Sequence, residues 1–496
     1  MSASQGSDTR GAPAPDRPPA RWPLTLTVLM GTIAVVLNAT VVNVAIPPIM
    51  VDLGMGQIAA QWLSTGFLAA MTATMLASAR VMARIGQRRT FEYSLWAFLG
   101  ACVLAAASPN TSVMIGARIL QGATAGMIQP LALVLIFQVF DDSERGKALG
   151  LYGMGVVLAP ALGPAVGGVL IDWFSWRAVY LPGIPFGLLA LVGARRYLHN
   201  DRRASRIAFD WIGFALLSAG LATLLAGLAE LAETRTWALA GIFSGGLLLA
   251  LFIRRCARIA TPLIELSVLA HPRFALASAL SMVYGAGLYG STYLVPLLAQ
   301  GVPQFSATAT GLVMMPAGLA LVVVFPVAGR LADRMPAHRL LLVGCTGFAL
   351  GMIGLAASDP TTAFATLALW IAFGRIMLGV MMPALNIGGL RALPEALTPQ
   401  GSGVINFARQ LGGAFGVNLF ALLLEWRVGA RVGTEVDLQR LYNGSAVDAT
   451  ALSALTSGFR ETFIVLGALF AVSIVFAAWM GILHGKLRES SAGLRR

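Results

Sequence analysis

The sequence predicts an all-α polytopic membrane protein of about fourteen transmembrane helices. Three observations carry that prediction. Hydrophobic residues make up 57% of the 496-residue chain and charged residues only 11%, whereas a soluble domain carries about a quarter charged. Runs of about twenty apolar residues recur from end to end, each long enough to span a bilayer. The basic residues fall into alternate gaps between those runs, as the positive-inside rule requires of a polytopic chain.

In chain order, residues 1–23 (MSASQGSDTRGAPAPDRPPARWP) are polar and rich in Pro and Ala and read as a disordered cytoplasmic tail. The apolar segment that follows is too long for a signal-peptide core. Spans fall at about 24–46, 59–79, 92–108, 112–138, 148–170 and 177–194, then 210–230 and 236–253, then 275–299, 308–328, 340–357, 361–385, 402–424 and 462–483. This divides the chain into an N-terminal six-helix bundle (24–194), a linker with inserted helices seven and eight (195–274), a C-terminal six-helix bundle (275–484) and a tail (485–496). Within the linker, residues 258–274 are apolar but short and broken by proline, and read as an interfacial helix. The longest outer loop is 425–461.

With both termini cytoplasmic, the inner segments hold about 26 Lys and Arg and the outer loops about six. The net charge of +13 is therefore topological, and no nucleic-acid partner is expected. The three cysteines, Cys102, Cys256 and Cys345, have no metal-ligand spacing. No nucleophile–base cluster and no GxxxxGK[ST] phosphate loop occurs, so neither enzyme chemistry nor ATP-driven work by this chain is expected, and no cofactor or metal.

Three arginines, Arg118, Arg375 and Arg409, fall inside spans. An intramembrane arginine costs about 3 kcal/mol even on the lenient insertion scale, so each should face a polar cavity or a partner. Arg118 lies in MIGARILQGATAGMIQP with Gln121 and Gln129, which favours a cavity over snorkelling to the interface. Asn38 and Asn43 lie late in the first span, in VLNATVVNVAIP. Counting from the outer ends, Asn38 and Arg118 sit at similar depth, roughly 10–12 Å in, and could meet if their helices are neighbours. Arg409 is flanked by Asn406 and Gln410, and for it snorkelling to anionic lipid stays open. No Asp or Glu lies near the middle of any span. The stripes Phe67, Met71, Met75 and Tyr289, Tyr293 suit soft, repackable binding or ordinary packing equally.

Span five reads GLYGMGVVLAPALGPAVGGVLIDW. Gly155, Ala159, Gly163 and Gly167 form a small-residue row at four-residue spacing, and Pro160 and Pro164 remove two backbone donors. ARVMAR (79–84) and GRLADR (329–334) follow the second and tenth spans, which points to two parallel halves with a site between them.

Along essentially its whole length the chain resembles the 14-helix drug:proton antiporter branch of the major facilitator superfamily. Gly155, Pro160, Gly163, Pro164, Gly167 and Gly168 match the antiporter motif of that superfamily, and RILQGATAG its fourth-helix motif, whose arginine is linked to proton coupling. Arg84, Gly86, Arg88 and Arg89 match the conserved loop after helix two, with Ala79 and Ala83 in place of Gly and Asp; Gly329, Asp333 and Arg334 form a second copy that keeps both. The resemblance implies two six-helix halves plus two inserted helices in the inner membrane of a bacterium. It also implies multidrug-type export by alternating access, driven by the proton gradient. The implied site comprises Asn38, Asn43, Arg118 and Gln121 for coupling and cavity, Arg84, Gly86, Arg88, Gly329, Asp333 and Arg334 as cytoplasmic gate, and Phe67, Met71, Tyr289, Tyr293, Arg375, Asn406 and Arg409 as cavity lining. Many members place Asp where this chain has Asn38, and an amide cannot titrate there. A dedicated exporter of one endogenous metabolite or lipid, or a non-transporting partner, uses the same fold. The expected partners are a small-molecule substrate and the lipid bilayer, with a periplasmic adaptor protein left open.

Overall fold

The computed structural model describes residues 21–139, 162–198, 209–232, 235–259, 262–394, 397–432 and 449–493. The helices are α1 (Arg21–Asp52), α2 (Gln57–Ile85), α3 (Gln87–Ala106), α4 (Thr111–Val139), α5 (Leu162–Trp173), α6 (Gly183–Tyr197), α7 (Trp211–Ala229) and α8 (Arg235–Cys256). They continue with α9 (Pro272–Gly301), α10 (Ala307–Arg334), α11 (Ala337–Ala356), α12 (Phe364–Leu390), α13 (Thr398–Val432) and α14 (Ala449–Gly493).

Why the polar residues inside these runs do not break them is visible locally. Thr25, Thr27 and Thr32 on α1 donate their hydroxyls to the carbonyls of Arg21, Pro23 and Val28, four residues back. A helix in lipid must satisfy its own polar groups, and these side chains do so within one turn. Helix starts carry the expected caps. The Ser306 hydroxyl accepts from the Ala309 N–H, and Pro272 opens α9. Gly86 alone joins α2 to α3 at φ +89°, a conformation that favours glycine.

Ten helices among the described residues are long and apolar enough to cross a membrane, fewer than the fourteen spans expected. The shortfall has a physical cause. α2 and α9 carry small and hydroxyl residues along their length and are mostly buried between other helices, so their mean apolarity is low. α3 carries Arg88, Arg89 and Glu92 in its first two turns, and α5 is described only from Leu162 to Trp173. Two other expectations differ. α13 and α14 run well into residues 425–461, which shortens the outer loop. Among residues 262–271 the helical part is one 3₁₀ turn, Leu266–Ala270, instead of an interfacial helix: Glu265 and His271 on either side are extended, the latter as a residue before proline favours.

α1 packs on α6 and α4, α2 on α4, and α3 on α4 and α6; α9 packs on α13, α10 on α12, and α11 on α12 and α14. α2 against α13 joins these two groups. The inserted pair is held by glycine. A Cβ on Gly227 would lie 2.8 Å from the Ala238 carbonyl oxygen, and one on Gly241 2.7 Å from the Gly227 Cα. α7 rests on α2 and α13, and the Asn418 amide donates to the Leu225 carbonyl at 3.1 Å. The outer face of α8 is apolar, with Trp237 73% and Phe243 76% exposed, as a lipid-facing helix requires.

Asp210 caps α7 by accepting from the Gly213 N–H at 2.8 Å and holds Arg255 of α8 at 2.7 Å. Losing a cap costs about 1 kcal/mol, and the half-buried Arg255 guanidinium would lose its carboxylate as well. Asp210→Ala is therefore expected to raise proteolytic nicking at the start of α7 and the end of α8, where Asp210 and Arg255 meet, and leave the rest of the helices protected, which limited proteolysis in detergent measures.

Candidate functional site: a cavity between the two helix groups

A cavity of about 300 Å³ lies between α1, α2, α4 and α5 on one side and α9, α10, α12 and α13 on the other. Its polar lining includes Asn43, Ser64, Gln129, Thr292 and Gln410, with Arg118, Arg375 and Arg409 as its three cations. Its apolar and aromatic walls include Phe67, Met71, Leu288, Tyr289, Met314 and Phe325. Among the described residues lining it, none is Asp, Glu or His.

Arg118 is 1% exposed, so it does not snorkel. Its Nε donates to the Leu63 carbonyl at 2.8 Å, and its Nη1 to Gln121 Oε1 at 2.9 Å and Asn38 Oδ1 at 3.3 Å. The guanidinium also lies over the Phe67 ring, 4.6 Å from the centroid, a cation–π contact that strengthens away from water. Asn38 and Gln121 meet it from behind the cavity wall; they support the arginine and do not line the space. Both amides turn their nitrogens to Cys102 Sγ, at 3.8 and 3.5 Å. That acceptor has no signal in the sequence, where Cys102 reads as packing. Asn43 lines the cavity, accepting from the Ser64 hydroxyl at 3.1 Å and donating to the Ala39 carbonyl at 3.2 Å.

On the opposite wall, Arg375 donates to the Leu288 carbonyl at 3.2 Å and to the Thr292 hydroxyl, tying α12 to α9. Arg409 donates to Asn406 Oδ1 at 2.6 Å, one turn back on its own helix; it lines the cavity, so it does not reach for lipid. No carboxylate pairs with Arg118, Arg375 or Arg409 among the described residues. Tyr293 is buried in the packing and does not line the space, whereas Tyr284 does. Tyr284 and Thr292 were not among the sequence candidates, although they form an i, i+4 row with Leu288, and Thr292 lies three residues after Tyr289.

Gly155 and Pro160 lie outside the described residues. The other antiporter-motif residues make close helix contacts. A Cβ on Gly163 would sit 2.3 Å from Thr40 Oγ1, one on Gly167 3.0 Å from the Val41 carbonyl oxygen, and one on Gly168 2.3 Å from the Ala307 carbonyl oxygen. Pro164 lines the cavity, and its carbonyl oxygen lies 2.1 Å from the Cβ position of Gly311. α5 thus meets α1 on one face and α10 on the other. At this same end of the molecule the Gln300 amide donates to the Val44 carbonyl at 3.1 Å, and Asp172 accepts from the Thr308 N–H at 2.8 Å.

The gate-loop residues are distant from this closure. Arg84 and Arg334 are exposed, Arg88 pairs with Glu92 at 2.8 Å, and Gly329 faces open space. Among the described residues neither Arg84 nor Arg334 forms an ion pair. Asp333 belongs to the last turn of α10.

The family model described as Major Facilitator Superfamily matches residues 28–417. The chain belongs to that superfamily. This facilitator is 33% identical over 416 residues to a puromycin resistance protein of Streptomyces alboniger, covering 81% of each chain. It is 30% identical to a probable actinorhodin transporter of Streptomyces coelicolor, over 89% of this chain and 78% of that one. A multidrug resistance protein B homolog of Mycobacterium tuberculosis is 29% identical, over 89% of this chain and 87% of its own. In fold, the facilitator is similar to a bacterial homolog of the human lysosomal transporter Spinster in an inward-facing, unoccupied conformation, with TM-score 0.67 at 13% identity, covering 93% of this chain and 96% of that one.

Proposed function

We propose that this facilitator exports small amphipathic compounds across the inner membrane of a bacterium, in the manner of a multidrug transporter, energised by the proton-motive force. One observation carries the reading: a single space between two helix groups, closed at one end by backbone-level contacts, with walls that combine aromatic rings, methionines and arginines. Aromatic and methionine walls repack around unlike ligands, and a site between parallel halves is what rocking alternates between the two sides. The names of the Streptomyces and Mycobacterium relatives are consistent with this reading. The basic inner segments assign both termini to the cytoplasm. In that orientation the end closed by Gln300, Val44, Asp172 and Thr308 is the outer one.

The test is accumulation of unrelated dyes and antibiotics in a bacterium stripped of its own efflux pumps, with and without a protonophore. Expression of the wild type is expected to lower accumulation of several compounds, and the protonophore to abolish the effect. Unchanged accumulation of every compound would sink the proposal, and an effect on one compound class alone would indicate a dedicated exporter.

Rocking also implies that the outer contacts must separate in each cycle. Joining Val44→Cys to Gln300→Cys with a short bis-maleimide, in a background lacking the three native cysteines, is expected to stop export. A reducible version of the linker is expected to restore it on cleavage.

A further inference from the structure

The cavity has a fixed charge that its substrate must balance. Arg118, Arg375 and Arg409 line it, and no carboxylate pairs with any of them among the described residues. Arginine stays protonated in proteins and carries five N–H donors. Of these, Arg409 gives one to protein, from Nη2 to Asn406, and Arg375 gives one from each Nη. The remaining donors have no protein acceptor among the described residues. A planar anion such as a sulfonate or carboxylate accepts from such a fork through two oxygens at once. The apolar lining of Phe67, Met71, Met314 and Phe325 offers a surface for the rest of an amphiphile.

Magnitudes exclude the opposite sign. At roughly 6 Å and an effective dielectric near 20, one arginine disfavours a monocation by about a hundredfold. Three arginines line the cavity, and among the described residues no carboxylate on its wall offsets them.

The same wall limits the coupling. Proton exchange at the site requires a group that gains and loses a proton near neutrality. The proton-bearing side chains facing the arginines are Tyr284 and Tyr289 at the cavity, and Tyr180 and Cys102 behind Arg118. Tyrosine and cysteine ordinarily titrate above about pH 8. The span interiors contain no Asp, Glu or His in the sequence either.

Resting on the export reading above, we infer that the substrates are amphipathic monoanions and that the electrical part of the proton-motive force drives their exit without proton exchange. The cytoplasm is negative, so an anion leaves down the potential. A potential of about 100 mV holds a monoanion at a ratio of about fifty across the membrane. The arginines make the anion the charge that moves, and the empty carrier returns without it.

The experiment uses the full chain reconstituted in liposomes, with an inward potassium gradient and valinomycin making the lumen positive at equal pH on both sides. The probe is radiolabelled naphthalene-1-sulfonate, whose charge is fixed. Accumulation is expected to approach about fifty-fold at about 100 mV, to vanish when the potential is reversed, and to stay within about twofold between pH 6 and pH 8, as expected of always-charged arginines. A pH step at zero potential is expected to give none. Arg375→Gln and Arg409→Gln are each expected to slow uptake at least about tenfold, the loss of one charge-assisted hydrogen bond. The wild-type dependence on potential stands as evidence whether or not those variants fold. Accumulation that follows the pH step instead of the potential overturns the inference. So does exclusion of the sulfonate while ethidium or tetraphenylphosphonium is moved, an outcome that leaves the export reading intact. Movement of no probe at all overturns both.

Discussion

Arg118→Ala is expected to reduce export to the level of cells lacking the protein, while leaving a folded molecule. Two opposing terms set that outcome. Alanine leaves the Leu63 carbonyl, Asn38 Oδ1 and Gln121 Oε1 without the donor they now share, at about 1 kcal/mol or more each. It also removes a guanidinium whose burial costs about 3 kcal/mol. The net change in stability is therefore small, on the order of 1–2 kcal/mol. Function has no such offset, because the charge over Phe67 is gone. Arg118→Lys separates charge from shape. A lysine ammonium is a point charge and cannot hold three acceptors in one planar fork, so export is expected to fall about tenfold, the equivalent of one such contact. Drug accumulation and thermal unfolding in detergent, measured on the same variants, check both statements. An Arg118→Ala protein that exports normally would remove Arg118 from the mechanism.

Gly285→Ala is expected to be the most damaging single methyl group in the C-terminal helices. Its Cβ would sit 1.8 Å from the carbonyl oxygen of Arg409 and 3.0 Å from the backbone nitrogen of Gly413. The contact is reciprocal, since a Cβ on Gly412 would lie 1.9 Å from the Met282 carbonyl oxygen. Backbone meets backbone here, so no rotamer change relieves the clash, and α9 must move away from α13. Overpacking of this kind costs about 1–3 kcal/mol and occasionally more, and this site belongs at the upper end. The displacement also carries Arg409 and Tyr289 with it, because a Cβ on Gly413 would already touch the Tyr289 ring at 2.3 Å. Lower yield, a lower unfolding temperature and weakened export are all expected. Gly246→Ala is the control: it faces open space on α8, replaces glycine by a better helix former, and is expected to change neither yield nor export.

What the sequence disclosed follows from what periodicity and depth can encode. Apolar runs located most spans, and counting residues from the span ends set Asn38 and Arg118 at one level, where the structure brings them within hydrogen-bonding distance. Arg118 and Gln121 were legible as an i, i+3 pair on one helix. Which helices stand side by side was not legible. The Thr292 partner of Arg375, the thiol of Cys102 behind Asn38, and the interlock of Gly285 with Gly412 each join separate helices. No spacing within one segment predicts such a contact. α2 and α9 show the converse: residues suited to a buried, close-packed position lower the very apolarity by which a span is recognised.

The inserted helices have a mechanical consequence. α7 leans on one helix from each group, with Asn418 fastened to its backbone at Leu225, while Arg80 of α2 donates to the Pro262 carbonyl of the following linker at 2.7 Å. The insertion is thus a strap laid across the α2–α13 seam and tied on both banks. A strap in that position permits the two banks to roll over one another about its own line and resists their drawing apart. Under the rocking proposed above, these ties limit the arc of the swing from outside the chamber that holds the cargo.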